Sequence, residues 1–313
     1  MLYLWQNQVW QRFRQQYEQQ CIPHAIILTG PSGLGQTTLA EQMAMHVLCE
    51  KQNAELPCGQ CHSCELSIAG NHPDHTVIEP EETGKAIKIE QIRDLKQKQT
   101  LTTNVSEWKT AIVMPAEAMN VNASNSLLKL LEEPQPNTLL ILISAEPAML
   151  PITILSRCQK VPIDTPNKEE VIAWIRSQGD FDEANIEKAL TLADSAPLSA
   201  LSLLTDDSLT ILEQVSMDFT KLLQHKANPV QLAQQWQQYD LALVLRYLQL
   251  RLKDRIVKQN VRSNSQNWQI YDCIIKAIKL LSSSNNINKI LLIEQFMVSV
   301  MDVPTSQNAV VNH

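Results

Sequence analysis

Four cysteines crowd into sixteen residues: Cys49, Cys58, Cys61 and Cys64. The two-residue gaps let a turn aim neighbouring sulfurs at one ion, and four thiolates complete a closed tetrahedral shell for zinc. The spacing therefore predicts one structural zinc ion with no coordination position left for catalysis. Two other chemistries use related spacings. Cys58-Gly59-Gln60-Cys61-His62 matches a c-type haem attachment, but that chemistry needs export and leaves Cys49 and Cys64 without a role. Cys58, Cys61 and Cys64 open like a ferredoxin cluster site, but position 68 is Ile. Four free thiols are the plain alternative. Zinc predicts a colourless protein; a brown iron chromophore would overturn it.

The second chemical signal is Gly30-Pro31-Ser32-Gly33-Leu34-Gly35-Gln36-Thr37. It fits the phosphate-loop frame G-x-x-x-x-G-K-[ST], except that Gln36 stands where lysine belongs. In a working loop Gly30, Gly33 and Gly35 let backbone N–H groups close around phosphates at a helix N-terminus. Thr37 would ligate Mg²⁺. A neutral amide at Gln36 loses the charge-assisted part of the lysine contact, about half its strength. An ATPase also needs an acidic pair at the end of a neighbouring strand. The candidate strand, Thr110-Ala111-Ile112-Val113, ends instead in Met114-Pro115, and Glu117 comes too late. With two parts missing, the expectation is a loop that has lost competence, with ATP binding absent or vestigial. A purely structural turn is the competing reading.

The chain that must position these groups has 313 residues and 44% hydrophobic content, enough for two or three domains with sizeable cores. Its 26 Lys+Arg against 33 Asp+Glu give a net charge of −7, which excludes coating nucleic acid by bulk charge. Apolar runs such as Leu139–Ile143 are too short to span a membrane. The start, Met1-Leu2-Tyr3-Leu4-Trp5-Gln6-Asn7, lacks the basic and apolar regions of a signal peptide. A soluble cytoplasmic protein is expected. Cys21, Cys158 and Cys273 are scattered, so the cysteines do not form a disulfide framework.

Residues 1–20 read as a Gln-rich amphipathic helix with Leu4, Val9, Trp10, Phe13 and Tyr17 on one face. Ala25–Thr29 reads as a buried strand, with a helix from about Thr37 to Cys49 and three cysteines in the loop beyond. Further strands are expected at His75–Ile78, Trp108–Met114, Thr138–Ser144 and Gln159–Ile163. Helices are expected at Ile89–Lys98, Ser124–Glu132 and Leu150–Leu155. This alternation implies a largely parallel sheet with helices on both faces. At Asp164-Thr165-Pro166 the character changes: Thr165 reads as a cap and Pro166 as the first helical residue. No strand is expected after it. Helices near 166–177, 183–194 and 198–205 precede a polar break at Thr205–Ser208. Longer helices follow to about 302. One carries Leu241, Val244, Leu245, Leu248 and Leu252; another carries Ile287, Ile290, Leu291, Phe296, Met297 and Val300. Pro304–His313 reads as a disordered tail.

Together these segments resemble the AAA+ clamp-loader subunits of bacterial DNA polymerase III, and within them the delta-prime type. The resemblance is carried by Pro23-His24-Ala25, the four-cysteine insert, Gly70-Asn71-His72-Pro73-Asp74 and Ala116-Glu117-Ala118-Met119-Asn120. It continues in Ser126-Leu127-Leu128-Lys129-Leu130-Leu131-Glu132-Glu133-Pro134 and Ser156-Arg157-Cys158. These motifs cover roughly residues 22 to 165.

The resemblance implies an α/β AAA+ base domain over 1–164 with a zinc-binding insert at 49–64. A helical lid over 165–206 and an all-α collar over 207–303 would follow. In such assemblies ATP lies between neighbouring subunits, and the arginine of Ser-Arg-Cys reaches the γ-phosphate bound next door. Here that residue is Arg157. Ser199 stands where motor subunits carry a basic sensor residue. The implied role is a stator without autonomous activity inside a DNA-directed DNA polymerase holoenzyme. Its implied partners are gamma/tau-type motor subunits and a delta subunit in a hetero-pentamer, and through them the sliding clamp and primed DNA. An ATP-hydrolysing motor subunit and a zinc-dependent nucleic-acid-binding module are the alternatives.

Overall fold

The computed structural model describes residues 2–51, 55–82, 84–258, 266–283 and 288–303. They form two compact units: residues up to Trp174 with Ser195–Ser199, and Ile175–Asp194 with the chain from Ala200 onward. The expected tail at 304–313, and Ile287 of the last apolar stripe, lie outside the described residues.

In the first unit a 3₁₀ turn, Leu4–Gln6, leads into α1 (Asn7–Glu18), β1 (Ala25–Thr29), α2 (Gln36–Leu48) and α3 (His62–Ile68). Next come β2 (His75–Ile78), α4 (Ile89–Thr100), β3 (Lys109–Val113), α5 (Val121–Glu132) and β4 (Thr138–Ser144). The short α6 (Ile152–Leu155), β5 (Gln159–Pro162) and α7 (Lys168–Gln178), which runs into the second unit, complete the series. The five strands pair in parallel in the order β2-β3-β4-β1-β5.

The three central strands, β3, β4 and β1, alternate their side chains between two cores, because successive residues of a pleated strand point to opposite faces. Ala25 and Ile27 join Ala111, Val113, Leu140 and Leu142 under α4, α5 and α6. Ile26 and Leu28 join Ile112, Leu139, Ile141 and Ile143 under α1 and α2. Burial on both faces explains why these strands read as unbroken apolar runs. In α1, Trp10 and Phe13 are buried, but Leu4, expected on the same face, is 75% exposed. It sits in the 3₁₀ turn, out of phase with the helix that follows.

The ring of His46 on α2 is enclosed by Trp10, Tyr17 and Phe13, with centroids 5.2, 5.1 and 6.4 Å away. Burial, helped by the nearby Arg14 charge, pushes its pKa down to about 4. Burial likewise lowers His75, which pairs with Thr110 Oγ1 at 2.7 Å, to about 4. An unfolded histidine titrates near 6.5, so between about pH 6.5 and 4 the unfolded chain binds protons that the folded chain refuses. The contribution to stability is therefore complete at neutral pH and is lost as pH falls through that window. Each ring is expected to cost about 2 kcal/mol between pH 7 and 5. Denaturant unfolding at the two pH values, with imidazole titration followed by NMR, measures this. Ring midpoints near 6.5 in the folded protein would contradict it.

The helix after the sheet starts at Lys168, two residues beyond Pro166, and its cap is not Thr165. Asn167 Oδ1 accepts the Glu170 N–H at 2.8 Å, and Asn167 O accepts the Val171 N–H at 3.1 Å. Asparagine is a stronger N-cap than threonine, and the first turn forms behind it.

Beyond α7 all described elements are helical: α8 (Glu183–Leu192), α9 (Pro197–Thr205), α10 (Ser208–Leu223), α11 (Pro229–Trp236), α12 (Leu241–Lys258), α13 (Gln266–Ser283) and α14 (Lys289–Met301). In the second unit, Leu241, Val244, Leu245, Leu248 and Leu252 of α12 are all buried. Arg246 of α12 donates to Leu192 O at 2.8 Å and pairs with Asp194, fastening the C-terminal end of α8. Phe219 of α10 stacks on Phe296 of α14 at 6.2 Å. Leu291, expected in the buried stripe of α14, is 61% exposed, and Leu292 and Ile293 are buried instead. The buried stripe is offset by one position at the helix start, where Asn288 caps through the Ile290 and Leu291 N–H groups.

Candidate functional site

The turn between β1 and α2 holds its three glycines at positive φ, 153°, 90° and 77° at Gly30, Gly33 and Gly35. Its carbonyl oxygens are held by donors from the chain itself. Gln36, 6% exposed, donates its amide to Gly30 O at 2.9 Å and Pro31 O at 2.7 Å. The residue in the lysine position thus staples the loop rather than reaching outward. Gln6 Nε2 donates to Leu34 O at 2.9 Å and Gly35 O at 2.8 Å, and Trp5 Nε1 donates to Leu34 O at 2.9 Å. From the far side of the loop, Ser199 Oγ donates to Ser32 O at 3.2 Å and Leu198 N to Gly33 O at 3.0 Å. A methyl group at Gly35 would strike the Tyr3 ring, and one at Gly33 would strike Ser199. Tyr3 stacks on Trp5 at 4.9 Å, and both rings meet Trp174 edge-on.

The metal side of the loop is equally altered. Thr37 Oγ1 lies 3.7 Å from the Met114 sulfur. A thioether is a soft, weak acceptor, whereas Mg²⁺ demands oxygen ligands. Glu117 is engaged elsewhere, where its Oε1 accepts the Ala145 N–H at 3.0 Å and the Glu146 N–H at 3.3 Å beyond β4.

The four cysteines converge. The sulfurs of Cys49, Cys58, Cys61 and Cys64 all lie within 4.8 Å of one another. Cys49–Cys61 and Cys58–Cys64 are 4.0 and 3.9 Å apart. A tetrahedral ion with metal–sulfur bonds of about 2.3 Å needs sulfurs about 3.8 Å apart, so the donor set fits one metal ion. Backbone N–H groups orient the thiols: Cys61 N donates to Cys58 Sγ at 3.3 Å and Cys64 N to Cys61 Sγ at 3.4 Å. The Gln60 N–H helps draw the Cys58 thiol down to about 6, while burial raises Cys49 and Cys64. Buried sulfurs that resist ionisation become thiolates when a cation offsets the cost. Contrary to the loop expected from sequence, Cys61 is the N-cap of α3 and Cys64 rides on its first turn. Seven residues are too few for a self-sustaining helix signal; the thiol cap and the buried Ser63 and Cys64 hold it.

Arg157 follows α6. Its side chain is 35% exposed, with Nη2 2.7 Å from Glu132 Oε1 and Nη1 donating to Thr153 O at 2.9 Å. Cys158 beside it is buried among the hydrophobic side chains under α5 and α6.

The family model for DNA polymerase III, delta subunit, matches residues 5–167. The delta-prime subunit of Pseudomonas aeruginosa DNA polymerase III is 34% identical over 97% of this chain and 98% of its own length. The chain belongs to the delta-prime family of DNA polymerase III clamp-loader subunits. The Haemophilus influenzae delta-prime subunit is 35% identical over 66% of this chain and 62% of that relative. Among solved structures, a gamma-subunit-related protein of DNA polymerase III from Thermotoga maritima matches with a TM-score of 0.51 at 17% identity. That match covers 94% of this chain and 99% of the other, and it bears on the fold alone.

The motifs of this delta-prime chain acquire physical roles. His24 places Nε2 3.1 Å from Leu131 O, docking the last turn of α5. His72 Nδ1 accepts the Asp74 N–H at 3.1 Å, so Nε2 carries the proton toward Ser63 Oγ at 3.0 Å. Ser63 in turn donates to Leu48 O at 2.7 Å. Burial would raise the Asp74 carboxyl, but the N–H groups of Ser106, Val105 and Asn104 outweigh it and hold the pKa below its ordinary value. Sequence reasoning did not identify Tyr3, Trp5 and Gln6 as the closure of the phosphate loop, nor Glu132 as the partner of Arg157. Trp5 was the available signal, since a buried indole N–H needs an acceptor, whereas Gln6 is one of seven glutamines in residues 1–20 and nothing local marks it out.

Proposed function

We propose that this chain is a non-hydrolysing stator of the clamp loader. It would present Arg157 to ATP bound on a neighbouring gamma/tau-type motor subunit, within a cytoplasmic hetero-pentamer that includes a delta subunit and places a sliding clamp on primed DNA. The observation that supports this most directly is the contrast between the two halves of an ATPase site. The phosphate loop has Gln36 folded back onto its own carbonyls in the lysine position and Met114 beside Thr37 where an acid would hold Mg²⁺, whereas Arg157 remains partly exposed. Residues 1–164 form the base in this reading, 165–206 the lid and 207–303 the collar. Zinc is the ion suited to the four thiolates; bound there, it supplies a structural cross-link with no open coordination position.

Calorimetry with Mg-ATP, with hydrolysis followed in the same sample, tests the closed loop. No saturable binding and no turnover are expected at millimolar nucleotide. Gln36→Lys is expected to leave turnover absent, because Met114 still stands beside Thr37 where an acid would hold Mg²⁺. Tight binding with turnover by the unmodified chain would make it a motor subunit and overturn the stator reading.

A further inference from the structure

Arg157 is engaged at both ends of its fork by its own chain, through Glu132 at Nη2 and Thr153 O at Nη1. Glu132 occupies a position that local electrostatics disfavours. It is the last residue of α5 and is followed by Glu133, so two carboxylates meet the negative end of the helix, with Lys129 the one basic residue in that turn. A partly exposed ion pair contributes little to folding, so stability alone does not account for the acid. The turn that carries it is fastened: His24 meets Leu131 O, and His24 O accepts the Leu140 N–H at 2.8 Å, tying this helix end to the sheet.

We propose that Glu132 is a positioning residue for Arg157, holding the guanidinium in place before the neighbour's ATP arrives. This rests on the reading of Arg157 as the arginine supplied in trans. Each terminal guanidinium nitrogen has two N–H groups, and each uses one of them on its own chain. The held arginine therefore keeps donors for phosphate oxygens. An unheld arginine has many rotamers to lose at the moment of reaction; Glu132 and Thr153 remove that loss beforehand.

The test uses the assembled loader on primed DNA, with rapid-quench measurement of ATP hydrolysis for Glu132→Gln, Glu133→Gln, Arg157→Ala and the double variant Glu132→Gln/Arg157→Ala. Glu133 has no ion pair or hydrogen bond from its side chain among the described residues and serves as the control. Glu132→Gln is expected to slow hydrolysis at the affected site about ten-fold with unchanged ATP affinity and thermal midpoint. Glu133→Gln should match the unmodified loader. The double variant should match Arg157→Ala alone, because a residue acting through Arg157 has nothing to act on once it is gone. A Glu132→Gln loader that hydrolyses at the unmodified rate or faster would overturn the positioning role, as would a double variant slower than Arg157→Ala. An Arg157→Ala loader with unmodified hydrolysis would overturn the trans-arginine reading itself, and with it this one.

Discussion

Replacing Arg157 by alanine is expected to silence one ATP site of the assembled clamp loader while leaving this subunit folded. An arginine supplied in trans to a γ-phosphate stabilises charge on the transferring phosphoryl group, and its loss costs about 10³-fold or more in rate. At a factor of ten per 1.36 kcal/mol, that is about 4 kcal/mol of transition-state stabilisation. Folding should be insensitive, because the side chain is 35% exposed and makes one surface ion pair and one carbonyl contact. Motor sites served by other subunits' arginines would keep working. The rapid-quench burst on primed DNA should therefore lose the amplitude of one site, with ATP binding retained. Arg157→Lys should not rescue it fully, since a point charge cannot reproduce the planar fork. A burst of full amplitude from the Arg157→Ala loader would remove the central claim of the proposed function.

The second large effect concerns the cysteine cluster. Cys64→Ser is expected to abolish binding of one zinc ion per chain and to destabilise the segment from Cys49 to Asp74. Cys64 is fully buried, and its thiolate, 3.9 Å from the Cys58 sulfur, would close a shell in which Cys49 and Cys61 lie 4.0 Å apart. Loss of a structural metal belongs to the small class of changes costing roughly 4 kcal/mol or more. The damage should travel along a defined route. Ser63 lies between two of the cysteines and bonds both Leu48 O and His72. His72 receives the Asp74 N–H, and Asp74 holds the backbone of Asn104, Val105 and Ser106. Native mass spectrometry should show the mass of one zinc ion lost, and hydrogen exchange should accelerate in residues 61–74 and then in 104–106. Exchange unchanged in 104–106 after metal removal would show that the relay carries no stability. Retention of zinc by Cys64→Ser would show that the cluster is not the site.

Much of the architecture was determined by the sequence alone. Ala25–Thr29, His75–Ile78 and Thr138–Ser144 appear with the boundaries their composition implies. Each is a short run between breakers, and Ala25–Thr29 and Thr138–Ser144 are buried on both faces, so that their unbroken apolar character is a local property legible without knowledge of neighbours. The cysteine spacing, the lysine missing at Gln36 and the Met114-Pro115 strand end are likewise local facts. Tertiary structure decided what those groups touch. Residue 199 reaches Ser32 across 167 positions of chain, and Gln6 reaches Leu34 across 28. Periodicity, which relates residues three or four apart, has no access to such pairs. Helix α3 formed because thiols and a buried serine supplied what seven residues could not supply themselves. In the sequence Glu132 is one residue of the motif ending in Pro134; its partner, Arg157, is set against it only by the turn after α6. Burial patterns are written into short stretches of chain, whereas a closed phosphate loop and a held arginine exist only once distant backbone segments have been brought to hydrogen-bonding distance.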